Sequence, residues 1–198
     1  MLTFQTVTTT YAVLAVVADA LVVLSVASFV LTRVSVPARD GWRRLRESIT
    51  PFVLPAAWLV AALAMLGSLY LSEVAHLTPC RLCWYQRICM YPLVLLLAIA
   101  VLRMDLFSAR RYLLPLAGLG ALIAAYHYQL ERFPHEPTLS CALEAPCSVA
   151  VLNIWGFVSV PFIALAGFLL ISMLLLLGLE RDEDGDHPTV SGEVRPSA

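Results

Sequence analysis

Five stretches of the chain, residues 11–31, 52–71, 88–102, 112–130 and 157–179, are almost unbroken hydrophobe. A helix needs about 20 largely apolar residues to cross the roughly 30 Å of hydrocarbon in a bilayer. The third stretch is short by itself. Read as a helix over residues 81–102, rising 1.5 Å per residue, it reaches about 33 Å. With 60% hydrophobic and 14% charged residues, against about 25% charged in soluble domains, the chain is expected to be an all-α integral membrane protein. Its formal net charge of −1, with no basic run interleaved with aromatics, removes the electrostatic footprint of a nucleic-acid partner.

Arginine placement orients the spans, because cytoplasmic loops carry the positive excess. Arg33, Arg39, Arg43, Arg44 and Arg46 follow the first span, and Arg103, Arg110 and Arg111 join the third to the fourth. Both segments belong inside. The N-terminus, residues 78–87 and residues 131–155 are then outside, and the tail is cytoplasmic, with ten of the thirteen arginines on the inner side. The first eleven residues carry no charge where a signal peptide has its basic region, so the first span reads as an anchor. Asp19 within it is expected to face a helix partner or water. The tail is acidic and free of aromatics, the composition of a disordered segment. The expected organisation is a transmembrane helix and cytoplasmic basic loop over 1–51, a four-helix membrane domain over 52–179, and a disordered cytoplasmic tail over 180–198.

The chemistry concentrates in cysteine. Cys80 and Cys83 form C-x2-C, Cys141 and Cys147 form C-x5-C, and both pairs fall on the outer side, where disulfides persist. Two dithiols near one membrane surface can pass a disulfide between them by thiolate attack. Cys83 falls in the first turn of the third helix, where helix-terminal N–H groups favour an anion, so the standing thiolate is expected there. Arg87 follows at i+4 on the same face, about 6 Å deeper. A cation at that depth points to an oxyanion or carbonyl in a low-dielectric site; the competing reading is an arginine snorkelling to lipid phosphate. His127, near the outer end of the fourth helix, lies at a similar depth and is a candidate ligand or proton carrier.

Other residues carry less. Trp84, Tyr85 and Tyr91 read as an interfacial aromatic belt in preference to a ring-stacking pocket, and Cys89 as a small buried hydrophobe. His76, His135 and Glu73 have no spacing that identifies a role. Pro134, Pro137 and Pro146 disfavour a helix around the second pair, which leaves it on an accessible loop. The apolar VAVLNIWGF after it is too short to span and is expected to lie along the membrane surface.

CRLCWYQR at a membrane edge, the second outer pair and GFVSVPF before the last span together resemble the DsbB family of disulfide bond formation proteins, on the side of its shorter-loop Gram-positive BdbC type. The resemblance covers about residues 52–179. It implies a DsbB-like four-helix bundle in the bacterial cytoplasmic membrane, preceded here by one extra span, and a protein-dithiol:quinone oxidoreductase activity. The route from DsbA through DsbB to quinone keeps the bacterial periplasm oxidising. By the same resemblance, Cys141/Cys147 would oxidise an extracytoplasmic thioredoxin-fold, DsbA-like partner, with Cys141 the site of capture. Cys80/Cys83 would reoxidise that pair, with Cys80 attacked and Cys83 facing the quinone. Arg87 and His127 would contact the quinone, with menaquinone favoured over ubiquinone, and no metal is implied.

Other readings stay open. Epoxide reductases of the vitamin K type share a quinone-type substrate and a four-helix bundle, but there the loop cysteines precede the membrane-edge C-x-x-C. Four cysteines in two pairs could instead bind structural zinc in a membrane scaffold, or the pairs could be inert staples in a small transporter or anchor.

Overall fold

A computed structural model describes residues 4–34, 36–133 and 152–185, except the side chains of residues 34, 36–39 and 179–185. Each apolar stretch is a helix long enough to cross a membrane. These are α1 (Phe4–Val34), α2 (Val36–Leu69), α3 (Arg81–Arg103), α4 (Leu106–Arg132) and α5 (Val160–Gly185), with a π-helical turn, Tyr70–Val74, extending α2. Cys141, Cys147 and His135 lie outside the described residues. Among the described residues there is no strand, only an isolated bridge between Ile154 and Val158.

Helices α2 to α5 close a ring: α2 packs on α3 and α5, and α4 packs on the same two. The expected four-helix bundle is therefore present. Its centre holds Leu93 and Leu97 from α3, Phe168, Ile171 and Leu175 from α5, and Ala57 and Ala61 from α2. Cys89 is buried in this core, as a small hydrophobe would be.

A close approach of α4 to α5 depends on Gly120. A Cβ there would collide with the ring of Phe168, which is fully buried and has no room to move. Gly120→Ala is expected to destabilise the bundle by about 1–3 kcal/mol, the usual range for overpacking. Thermal unfolding in detergent measures it, with Gly118→Ala as control, because nothing lies within 4 Å of a Cβ at Gly118. Equal midpoints for the two variants would contradict the packing argument.

Two boundaries differ from expectation. The basic segment is not a loop, because α2 begins at Val36. Its exposed face has an Arg43–Glu47 ion pair at i,i+4, a spacing that supports helix, and Arg46 Nε donates to the Leu177 carbonyl of α5 at 3.2 Å. Pro51 and Pro55 sit inside α2 without ending it, as packed membrane helices allow. At the other end α5 continues through Gly185, six residues into the expected tail. Helix α1 stands outside the ring and packs on α5 and α2. Buried Ala15 and Ala18 meet Ala166 of α5, small residues that let two helices approach. Asp19 is half-buried on this helix.

Candidate active site

The site is built where α2 stops and α3 starts. After the π-helical turn, the Ala75 and Leu77 amides still bond back to the carbonyls of Tyr70 and Leu71, each at 3.0 Å, and His76 takes a positive φ of 53° that turns the chain. Pro79 then leads into Cys80, which is extended (φ −70°, ψ 169°) and forms the N-cap of α3. Its sulfur accepts from the Cys83 N–H at 3.2 Å, taking one of the donors that a helix start leaves unsatisfied. The C-x-x-C spacing thus puts one sulfur on the cap and the other on the first turn. The two sulfurs are 2.8 Å apart.

His127 reaches this dithiol from α4. Its Nε2 is 3.6 Å from Cys80 Sγ. The Gln86 Nε2 donates to Nδ1 at 3.1 Å, which leaves the ring proton on Nε2, facing the sulfur. The His127 ring is 3% exposed and Gln86 6%, so the arrangement is shielded from solvent.

These bonds converge on Cys80. The Cys83 thiol, then the His127 ring, then the Cys83 amide hold the Cys80 thiol well below its ordinary range, against the opposing effect of burial. Helix position alone puts the anion on Cys83. It moves because Cys80, as the cap, accepts the helix-terminal N–H itself, and the histidine joins it there. Folded, reduced protein therefore gains stability from this thiolate above the unfolded thiol value of about 8.5, and loses it as pH falls through the lowered folded value. Alkylation of the reduced protein across pH, with peptide mapping, is expected to give Cys80 a midpoint below 8.5 that rises in His127→Ala. A low midpoint at Cys83 with an ordinary one at Cys80 would restore the original assignment.

Arg87 is fixed from α2. Its Nε donates to Ser68 Oγ and its Nη2 to the Ser68 carbonyl, both at 2.8 Å, and its guanidinium lies 5.4 Å from the centre of the Trp84 ring. A cavity of about 360 Å³ opens beside it, within the range of small-molecule sites. Cys80, Cys83, Arg87 and His127 all line it, with Gln86, Ser68, Tyr91 and Glu131. Most of the rest of the wall is apolar, from Ala64, Met90, Ile163, Ala164 and Phe168. A few polar groups gathered at one dithiol, facing an otherwise greasy cavity, suit a flat apolar ring carrying oxygens. Of the three aromatics read as a belt, Trp84 and Tyr85 are exposed, whereas Tyr91 is half-buried and lines the cavity.

Four of the six expected site residues are thus brought together, and Cys141 and Cys147 lie outside the described residues. Ser68, Gln86 and Glu131 were missed. Gln86 stood next to Arg87 in the motif and could have been noted; Ser68, nineteen residues away on another helix, carried no local signal. The ligand atoms of Cys80, Cys83 and His127 also lie within 4.8 Å of one another, a spacing that admits a metal ion.

Beyond the cavity, the chain that follows α4 is tied back to it. Arg132 Nη1 donates to the Gly156 carbonyl at 2.9 Å and the Tyr128 hydroxyl to the Phe157 carbonyl at 3.0 Å. Residues 154–158 make a tight turn, with Trp155 and Gly156 at positive φ.

Comparison with known proteins places this arrangement. Residues 51–178 match the family model described as disulfide bond formation protein DsbB. The disulfide bond formation protein C of Bacillus subtilis is 46% identical over 125 residues, 63% of this chain and 90% of that protein. A probable disulfide formation protein C 1 of Bacillus cereus is 43% identical over 129 residues, 65% of this chain and 92% of the relative. A probable disulfide formation protein of Coxiella burnetii is 44% identical over 123 residues, 61% and 83% of the two chains. No solved structure matches. With a dithiol lining a largely apolar cavity and a family match over most of its length, the chain belongs to the DsbB family of disulfide bond formation proteins.

Proposed function

We propose that this protein takes two electrons from a reduced, thioredoxin-fold partner of the DsbA type and passes them through Cys141/Cys147 and Cys80/Cys83 to a membrane quinone. Its family makes it a multi-pass bacterial membrane protein with an oxidoreductase role in disulfide bond formation, in a family that works with a thiol-disulfide partner and a quinone. The observation that carries the finer reading is the shared cavity: Cys80, Cys83, Arg87 and His127 border one apolar space. In sequence the second pair falls between Glu131 and Leu152, and both of these residues line the cavity. Cys147 is five residues from Leu152, a tether of at most about 18 Å.

The steps balance. The partner's two thiols become a disulfide as the Cys141–Cys147 bond is reduced, with Cys141 making the mixed disulfide. That dithiol then reduces Cys80–Cys83 and closes again. A bound quinone supplies the sink for the last two electrons and two protons. Cys80, at the loop end of α3, exchanges with the second pair, and Cys83, one turn in, faces the acceptor. The bonds that stabilise the Cys80 thiolate favour the reduced dithiol, which makes the Cys80–Cys83 bridge a stronger oxidant of the loop pair. Arg87 binds and orients an acceptor oxygen, and His127 holds a proton on Nε2 at the dithiol. The arginine distribution supports an orientation with both pairs on the extracytoplasmic side of the membrane and the C-terminus inside. Menaquinone is the favoured acceptor by likeness to the shorter-loop type.

The test mixes the purified protein with a reduced thioredoxin-like partner and a short-chain quinone and follows quinone absorbance. Wild type is expected to turn over and Cys141→Ser to lose partner-driven turnover. Undiminished turnover in Cys141→Ser would remove the loop pair from the path, and none in wild type with either quinone class would sink the proposal. The close Cys80, Cys83 and His127 ligand atoms favour one second reading, a zinc-bound scaffold. Metal analysis of freshly purified protein separates the two: the redox reading expects far less than one zinc per chain, and stoichiometric zinc with protected thiols would favour the scaffold.

A further inference from the structure

Helix α1 is where this chain departs from the relatives it matches. The 125 matched residues are 90% of the B. subtilis protein, so about 14 of its residues lie outside the match. That is too few to form a helix of 31 residues such as α1. Yet α1 does more than lean on the bundle. Val7, Thr8 and Tyr11 line the same cavity as Cys80, Cys83 and Arg87.

The fit of α1 to α2 at this point is specific. The Tyr11 hydroxyl donates to the Leu63 carbonyl at 3.0 Å, the carbonyl that, four residues before Gly67, serves that glycine's N–H in helix geometry. The tyrosine ring fills the space a side chain would take at Gly67: a Cβ there would stand 2.7 Å from two ring carbons. Thr8 is buried, and its hydroxyl donates to the carbonyls of Phe4 and Gln5 at 3.0 and 3.1 Å. The hydroxyls of Thr8 and Tyr11 are therefore already bonded, and with Val7 they leave α1 mainly apolar surface to offer the cavity.

We propose that α1 is a working wall of the acceptor site: Val7, Thr8 and Tyr11 contact the apolar part of the bound quinone and thereby set which quinones the site accepts. This rests on the quinone reading above. Polar groups fix a ligand's orientation while apolar walls supply much of its affinity. A wall on a helix outside the four-helix ring changes that affinity without moving the dithiol.

Two measurements on the full chain test it. A photoreactive quinone analogue, followed by peptide mapping, is expected to label the α1 segment containing Val7–Tyr11 as well as α3. In steady-state assays, Tyr11→Ala is expected to raise KM for a short-chain quinone about tenfold, in the range for losing a few apolar contacts. Its kcat should stay within about twofold, the pattern of lost uniform binding. Gly67→Ala, which displaces the Tyr11 ring from the other side, should shift KM the same way, and Tyr11→Phe, which keeps the ring, should shift it little. Label confined to α3, or unchanged KM in both alanine variants, overturns the role of α1 and leaves the quinone reading standing. Absence of label anywhere, together with no quinone reduction by wild type, overturns both.

Discussion

Cys83→Ser is expected to lower partner-driven quinone reduction on the order of 10³-fold or more, the scale seen when one member of an interdependent catalytic set is removed. The reason is stoichiometric. A single thiol at this site cannot close a disulfide, so it has no two-electron couple to offer the acceptor. Cys80→Ser should lose turnover to the same extent, yet the two variants should differ in what they trap. With Cys83 gone, Cys80 remains at the loop end of α3 and is expected to accumulate a mixed disulfide with the Cys141/Cys147 pair. With Cys80 gone, Cys83 has lost the sulfur it touches at 2.8 Å and should accumulate less. Non-reducing mass spectrometry of both variants reads this directly. Preferential trapping through Cys83 would reverse the assigned roles, and turnover by Cys83→Ser near the wild-type rate would remove the dithiol from the path altogether.

The spans were legible because apolar length is a linear property of sequence, and a membrane reads it in about 20-residue units; that four of them close into a bundle was implied by the family resemblance. The motif was legible for a related reason. C-x-x-C at a helix start and an arginine at i+4 are local spacings, and local spacings survive folding. What the chain hid was contact between distant segments. His127 could be placed at the right depth, but its choice of Cys80 and Gln86 as partners depends on how α4 meets α3. The location of the thiolate was misread for an instructive reason. Helix-terminal N–H groups do favour an anion, but the group that receives the Cys83 N–H is the cap residue, Cys80. The basic segment was misread because arginine density signals cytoplasmic placement and says nothing against helix, for which arginine is a good former. The part played by α1 was hidden because it turns on Gly67, a residue informative only once Tyr11 is seen to fill the space beside it.

Arg87→Met is expected to weaken use of the quinone by about 10- to 150-fold. A hydrogen bond to a charged group is worth about 1.5–3 kcal/mol, and about 1.4 kcal/mol is a factor of ten. The effect should fall mainly on KM if the guanidinium binds the acceptor equally in ground and transition states, and on kcat as well if its bond strengthens as charge develops. Ser68 already takes Nε and one bond from Nη2, which fixes the plane of the guanidinium and leaves its other N–H groups for an oxygen in the cavity. Arg87→Lys keeps the charge but cannot reproduce that fork, so it should recover only part of the loss. Ser68→Ala removes one of the two anchors and keeps the backbone carbonyl, so a smaller, severalfold rise in KM is expected. This series separates the acceptor role from the competing one. An arginine that only snorkels to lipid phosphate would, when replaced by methionine, alter thermal stability in a bilayer while leaving KM for the quinone where it was.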